Sequence, residues 1–204
     1  MEKILTYLLE GQSDFSGITN NETIDRLFNV KLLPTAAKES TAELVWMQLV
    51  NVVKLAKQSK AALFILGKNI ESLKNISHTD LLLEVISDAL DSNLKILVSN
   101  TSSGDATLIP LSPNLFWTDS LYGFEFLVIY ESCFDLIINE DFSAYHTISE
   151  CLENITSNKM LIYPMVNTTP NVNHQNIHLR MERLMQMSIY LEQNRLKLQK
   201  KKQP

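Results

Sequence analysis

Ala61-Ala62-Leu63-Phe64-Ile65-Leu66, closed by Gly67, leads through Ser77 into a helical pattern from Thr79 to Leu90, and Asp91-Ser92-Asn93 then gives way to Leu94-Lys95-Ile96-Leu97-Val98-Ser99. The two short apolar runs have the length of strands. Between them Leu81, Leu82, Val85, Ile86, Ala89 and Leu90 recur at helical spacing. Strand, helix, strand with short connections is a βαβ unit, which predicts two parallel strands joined by a crossover helix. This stretch makes the fold class α/β.

Working outward, Ser40 and Glu43 form a capping box ahead of a helix from Thr41 to Gln58, where Val45, Leu49, Val52 and Ala56 make one stripe and Trp46, Val50 and Val53 widen it. Towards the N-terminus, Met1 to Glu10 reads as a short amphipathic helix stopped by Gly11, and Asn21 to Asn29 as a second, with Ile24, Leu27 and Phe28 on one side. Pro34 breaks the chain before the main domain. Arg26 and Lys31 are too few cations for a DNA-reading helix, so the two short helices are expected to cap the fold.

In the second half, Thr107 to Leu111 reads as a strand ending in Ser112-Pro113. Phe124–Tyr130 and Cys133–Ile138 read as two strands separated by Glu131-Ser132, an antiparallel hairpin. Asp141 is placed to cap a helix from Phe142 to Ser157, with Tyr145, Ile148, Leu152 and Ile155 on one face. Met160 to Val166 is expected as an edge strand because of Pro164. A polar linker, Asn167 to Asn176, precedes a long helix from Asn176 to Lys201. The expected architecture is a mixed sheet with a parallel βαβ unit and an antiparallel hairpin, helices packed on it, and a long C-terminal helix. Its divisions are residues 1–39 (helical cap), 40–166 (α/β domain) and 167–204 (linker and basic helix).

Length and composition narrow the class further. The chain has 204 residues, 45% of them hydrophobic, enough to bury roughly 70% of its unfolded surface without disulfides or metals. No apolar run approaches a membrane span, and the first residues do not resemble a signal peptide, so a cytoplasmic protein is expected. Cys133 and Cys151 form no CxxC and read as buried structural thiols. The Asn-x-Ser/Thr matches at Asn75, Asn100, Asn154 and Asn167 then carry no weight.

Charge is unevenly placed. Between Lys95 and Lys159 stand 63 residues with nine carboxylates and no Lys or Arg. From Arg180 onward the chain is net +5, leaving −10 for the first 179 residues and −5 in total. An acidic body repels phosphate backbones, which argues against nucleic acid as its partner. The basic tail alone has the charge to touch RNA or an anionic membrane surface.

Ligands of parallel sheets bind beyond the carboxyl ends of the strands. The candidate ligand-binding residues are therefore Gly67 and Lys68 after the first strand, and Ser99, Asn100, Ser102 and Asp105 after the second. Neither loop completes a phosphate-binding motif. His174 and His178 are four apart but lack a third ligand, His78 and His146 sit near helix starts, and Glu140-Asp141 reads as a turn and cap. No nucleophile has an identifiable partner, and no cofactor is implied.

The C-terminal helix is the stronger candidate. Ile177, Leu184, Leu191 and Leu198 recur at steps of seven, and Met181 and Met185 broaden the face, while Ser188 and Arg195 degrade the second row. Its first half is expected to pack on the body and its distal half to meet another protomer or partner helix.

Leu108-Ile109-Pro110-Leu111-Ser112-Pro113, then Phe116-Trp117, then Phe124-Glu125-Phe126-Leu127-Val128-Ile129-Tyr130 and Cys133-Phe134-Asp135-Leu136-Ile137-Ile138 form an order that resembles the DICT sensory domain of bacterial, notably cyanobacterial, signalling proteins. The resemblance covers about Ser40 to Ser157. It implies a non-catalytic sensory or protein-interaction module that passes a signal to an attached output. Members tend to carry arginine after the first strand, whereas here none lies between Arg26 and Arg180, and no family residue carries over. The expectation is thus a regulatory module acting through its acidic body and C-terminal helix, the alternative being a small-molecule or nucleotide-binding enzyme that uses the strand-end loops.

Overall fold

The computed structural model describes residues 3–9, 22–33, 41–74, 76–165 and 172–201, with the side chains of 22–23, 172–174 and 197–201 outside that description. Eight strands form one mixed sheet: β1 (Ile4–Leu8), β2 (Phe28–Leu32), β3 (Leu63–Gly67), β4 (Ile96–Val98), β5 (Leu108–Ser112), β6 (Leu115–Thr118), β7 (Phe126–Tyr130) and β8 (Lys159–Ile162). Their spatial order is β2-β1-β3-β7-β4-β8-β6-β5. β1 pairs in parallel with both β2 and β3, and β4 with β8, while β7 runs antiparallel to both of its neighbours. The strands of the predicted βαβ unit, β3 and β4, therefore point the same way, with β7 inserted between them.

β7 explains why that insertion is stable. All five of its residues are buried, as a central strand covered on both faces requires. Leu127 and Ile129 belong to one core while Phe126, Val128 and Tyr130 belong to the other, the period-two alternation of a pleated strand. The first core is closed by α2 (Ala42–Gln58), α5 (Glu131–Asn139), α6 (Ile148–Ile155) and the start of α7 (Val172–Lys201). The second is closed by α1 (Glu22–Leu27), α3 (Ile70–Lys74) and α4 (Thr79–Asp91). Each fully buried Leu, Ile or Phe contributes about 1.5–3 kcal/mol, so the two helical layers hold the sheet from both sides.

Helix ends follow local chemistry. Thr41 caps α2 by accepting the Leu44 N–H at 3.4 Å, whereas Ser40 of the predicted capping box lies outside the described residues. Asn93, at φ 55°, turns the chain out of α4 in the left-handed conformation that asparagine tolerates. Its carbonyl accepts the Asn158 side-chain amide at 3.1 Å. The ring of Trp46 stacks on Phe142 at 5.3 Å, joining the 3₁₀ turn Phe142–Ala144 to α2.

Several expectations are corrected. Ile4–Leu8 is a strand, not part of a helix, and α1 runs straight into β2, so the predicted helical cap supplies the sheet's outer two strands. Met1, Glu2, Glu10, Gly11 and Pro34 lie outside the described residues. Cys133–Ile138 is in helix α5 and makes no hairpin with β7. Cys133, Phe134 and Ile137 are buried while Asp135 and Leu136 are exposed, a helical spacing. The antiparallel hairpin is β5–β6, with Ile109 opposite Trp117. The helix expected over Phe142 to Ser157 is split into the 3₁₀ turn and α6; Asp141 caps the turn and Thr147 caps α6. β8 ends at Ile162, before Pro164, and lies inside the sheet between β4 and β6. Finally, α7 begins at Val172, so residues 172–176 of the expected linker are helical, and 167–171 lie outside the described residues.

Candidate functional sites: the strand-end loops and the C-terminal helix

Four of the six strand-end candidates converge where β3 and β4 flank β7. The Lys68 N–H donates to the Glu125 carbonyl at 2.8 Å. The Ser99 N–H donates to the Phe126 carbonyl at 3.1 Å, and its hydroxyl oxygen accepts the Phe126 N–H at 3.0 Å. Asn100 Oδ1 accepts the Glu125 N–H at 2.8 Å and the Ser99 hydroxyl at 3.0 Å. Gly67 is tight for a packing reason, since a Cβ there would lie 2.8 Å from Leu8 Cδ2. These loops spend their polar groups on one another's backbone, which is what buried loop atoms need.

Ser102 and Asp105 lie elsewhere. The Ser102 N–H donates to the Tyr122 carbonyl at 3.0 Å, beside Gly123. Asp105 is exposed, and on either side of it the carbonyls of Gly104 and Ala106 accept from Arg180 of α7 at 3.3 and 2.8 Å.

Sequence reasoning missed Ser72 and Glu125, and placed Asn69 only as part of the loop after the first strand. Asn69 Oδ1 accepts the Ser72 N–H at 3.1 Å and Ser72 Oγ accepts the Asn69 N–H at 3.4 Å, a reciprocal cap at the start of α3. Ser72 also donates to the Glu125 carboxylate at 2.8 Å. The Asn-x-x-Ser spacing was the signal for the cap, but nothing local pointed to Glu125. One polar atom is left over: Asn100 Nδ2 is buried and has no hydrogen-bond partner among the described residues.

The carboxylates of the cation-free stretch do local structural work. Asp119 accepts the Thr107 N–H, Asp141 the Ser143 N–H, Glu150 the His146 N–H, Glu153 the Leu121 N–H and Glu140 the Tyr145 hydroxyl, while Asp135 pairs with Lys57. Acceptors of N–H and O–H groups need no cation beside them, which accounts for much of the charge imbalance. Lys159, almost fully buried, donates to the carbonyls of Glu153 and Thr156 at 2.7 and 2.8 Å and so closes the C-terminus of α6. Burial holds its pKa below the ordinary lysine value, against the opposite pull of Glu153 and Asp119. For Asp119 burial pushes upward, but the Thr107 hydrogen bonds and the Lys159 charge outweigh it and the carboxyl lies below its usual value.

The C-terminal helix has a core-packed part and an exposed part. Ile177 and Met181 are fully in the core, with Leu184 and Met185 packed at its margin. Beyond them Met187, Ile189, Tyr190, Leu191 and Leu196 are all exposed, Leu191 at 61%. Met185, Ile189 and Leu196 border a groove of about 340 Å³ whose other wall is Pro110–Pro113. The Leu198 side chain lies outside the described residues. Arg180 is tied to backbone carbonyls and Arg195 pairs with Glu192 within the helix, so neither makes a described ion pair with the acidic body.

Among the described residues no group of three or more His, Cys, Asp or Glu is placed to hold a metal ion. The His178 ring lies against Tyr163 at 5.8 Å. Burial pushes both the Cys133 and Cys151 thiols up to about 12, with Glu140 and Glu150 adding to the rise for Cys151, which suits structural roles over nucleophilic ones. No helix among the described residues is long and apolar enough to cross a membrane. No protein-family model, curated protein or solved structure matches the chain.

Proposed function

We propose that the chain is a non-catalytic protein-interaction module whose contact element is the distal half of α7. The observation that carries this reading is the exposed set Met187, Ile189, Tyr190, Leu191 and Leu196 on a helix whose preceding turns are anchored in the core. Apolar side chains exposed along one helix in this number are stabilised when a partner covers them. A regulatory role of the sort implied by the sequence resemblance to DICT domains would make α7 the output element, joined to the body through Arg180 and the loop around Asp105.

Pairing Met187→Glu with Leu191→Glu tests this, because both side chains are outside the core. The double variant is expected to unfold at the same urea concentration as wild type and to lose association in sedimentation or with an isolated partner. Unchanged association would overturn the reading.

A second reading, a small-molecule site at the strand ends, has one observation in its favour: the unpartnered Asn100 Nδ2, a donor available to a ligand oxygen. A thermal-shift screen with nucleotides and metabolites tests it, since a ligand at 100 times its Kd stabilises by about 2.7 kcal/mol. No shift across the panel would count against it.

A further inference from the structure

We draw no further inference here: the strongest candidate, the exposed apolar face of the distal half of α7 with the groove that Ile189 and Leu196 border opposite Pro110 and Pro113, belongs to the contact reading already given, and nothing among the described residues shows what covers it.

Discussion

Asn100 at the end of β4 accepts the backbone N–H of Glu125 at 2.8 Å, and so holds β7 in the gap between β3 and β4. The contact joins residues 25 apart in sequence, and the neighbouring Ser99 side chain continues the same seam onto Phe126. Removing the Asn100 amide leaves the Glu125 N–H without its acceptor. Asn100→Ala is expected to cost about 1–3 kcal/mol in urea unfolding. An unchanged midpoint would mean that the seam contributes nothing to stability.

Gly123 sits at φ 72°, and a Cβ there would fall 1.8 Å from Ser102 Oγ. A Cβ added at Gly104 would meet nothing within 4 Å. Gly123→Ala should therefore destabilise by about 1–3 kcal/mol or more through crowding and backbone strain together, while Gly104→Ala should leave the unfolding midpoint within about 0.5 kcal/mol of wild type. Equal effects of the two substitutions would contradict the geometry.

Within α7, Met181 is fully buried and Leu191 is exposed. Met181→Ala is expected to lower stability by about 2–5 kcal/mol, and Leu191→Ala, measured at a concentration where the chain is monomeric, by no more than about 0.5 kcal/mol. Calorimetry or urea titration of both variants checks the division of the helix into a core half and a contact half.

Lys159 makes a specific pH dependence. Its folded-state pKa lies below the ordinary value of 10.5, so between those two values the unfolded chain binds more protons than the folded one. Stability contributed by this site then rises with pH across that window, as the buried charge is lost more easily in the folded state. Tyr7, Tyr130, Tyr145 and Tyr163 have raised pKa values and act in the opposite sense at higher pH. The Lys159 effect is accordingly read as the difference between wild type and Lys159→Met in urea unfolding from about pH 8 to 10, the range just below the ordinary lysine value. That difference should move in favour of wild type as pH increases; movement the other way would reverse the assigned shift.

Cys133 and Cys151 are both fully buried, with thiols pushed up to about 12. Neither is expected to react with a thiol-specific chromogenic reagent at about pH 8 until the chain unfolds, after which both should react. Prompt modification of the folded chain would argue for a reactive cysteine.

Much of the layering is legible along the chain. Leu81 to Leu90 has helical period, and Phe126 to Tyr130 is a continuous apolar run of strand length, and each forms the element expected of it. Cys133 to Ile138 misleads because a short apolar run suits a strand or a buried helix equally. The polar residues Glu131, Asp135 and Asn139, spaced by four, are the available sign of a helix. Ile4 to Leu8 fails for a similar reason: five residues are too few to separate the two periods, and pairing with β2 and β3 settles the matter.

By itself the sequence determined the α/β class and the division of charge between body and tail, since periodicity and charge are local properties of the chain. Only the tertiary structure decided that β7 lies between β3 and β4, that Gly67, Lys68, Ser99 and Asn100 meet around Glu125 and Phe126, and that the distal apolar residues of α7 remain uncovered. Strand neighbours and helix cover are chosen by contacts between distant segments, where burial of both faces of a strand outweighs any preference a single segment carries.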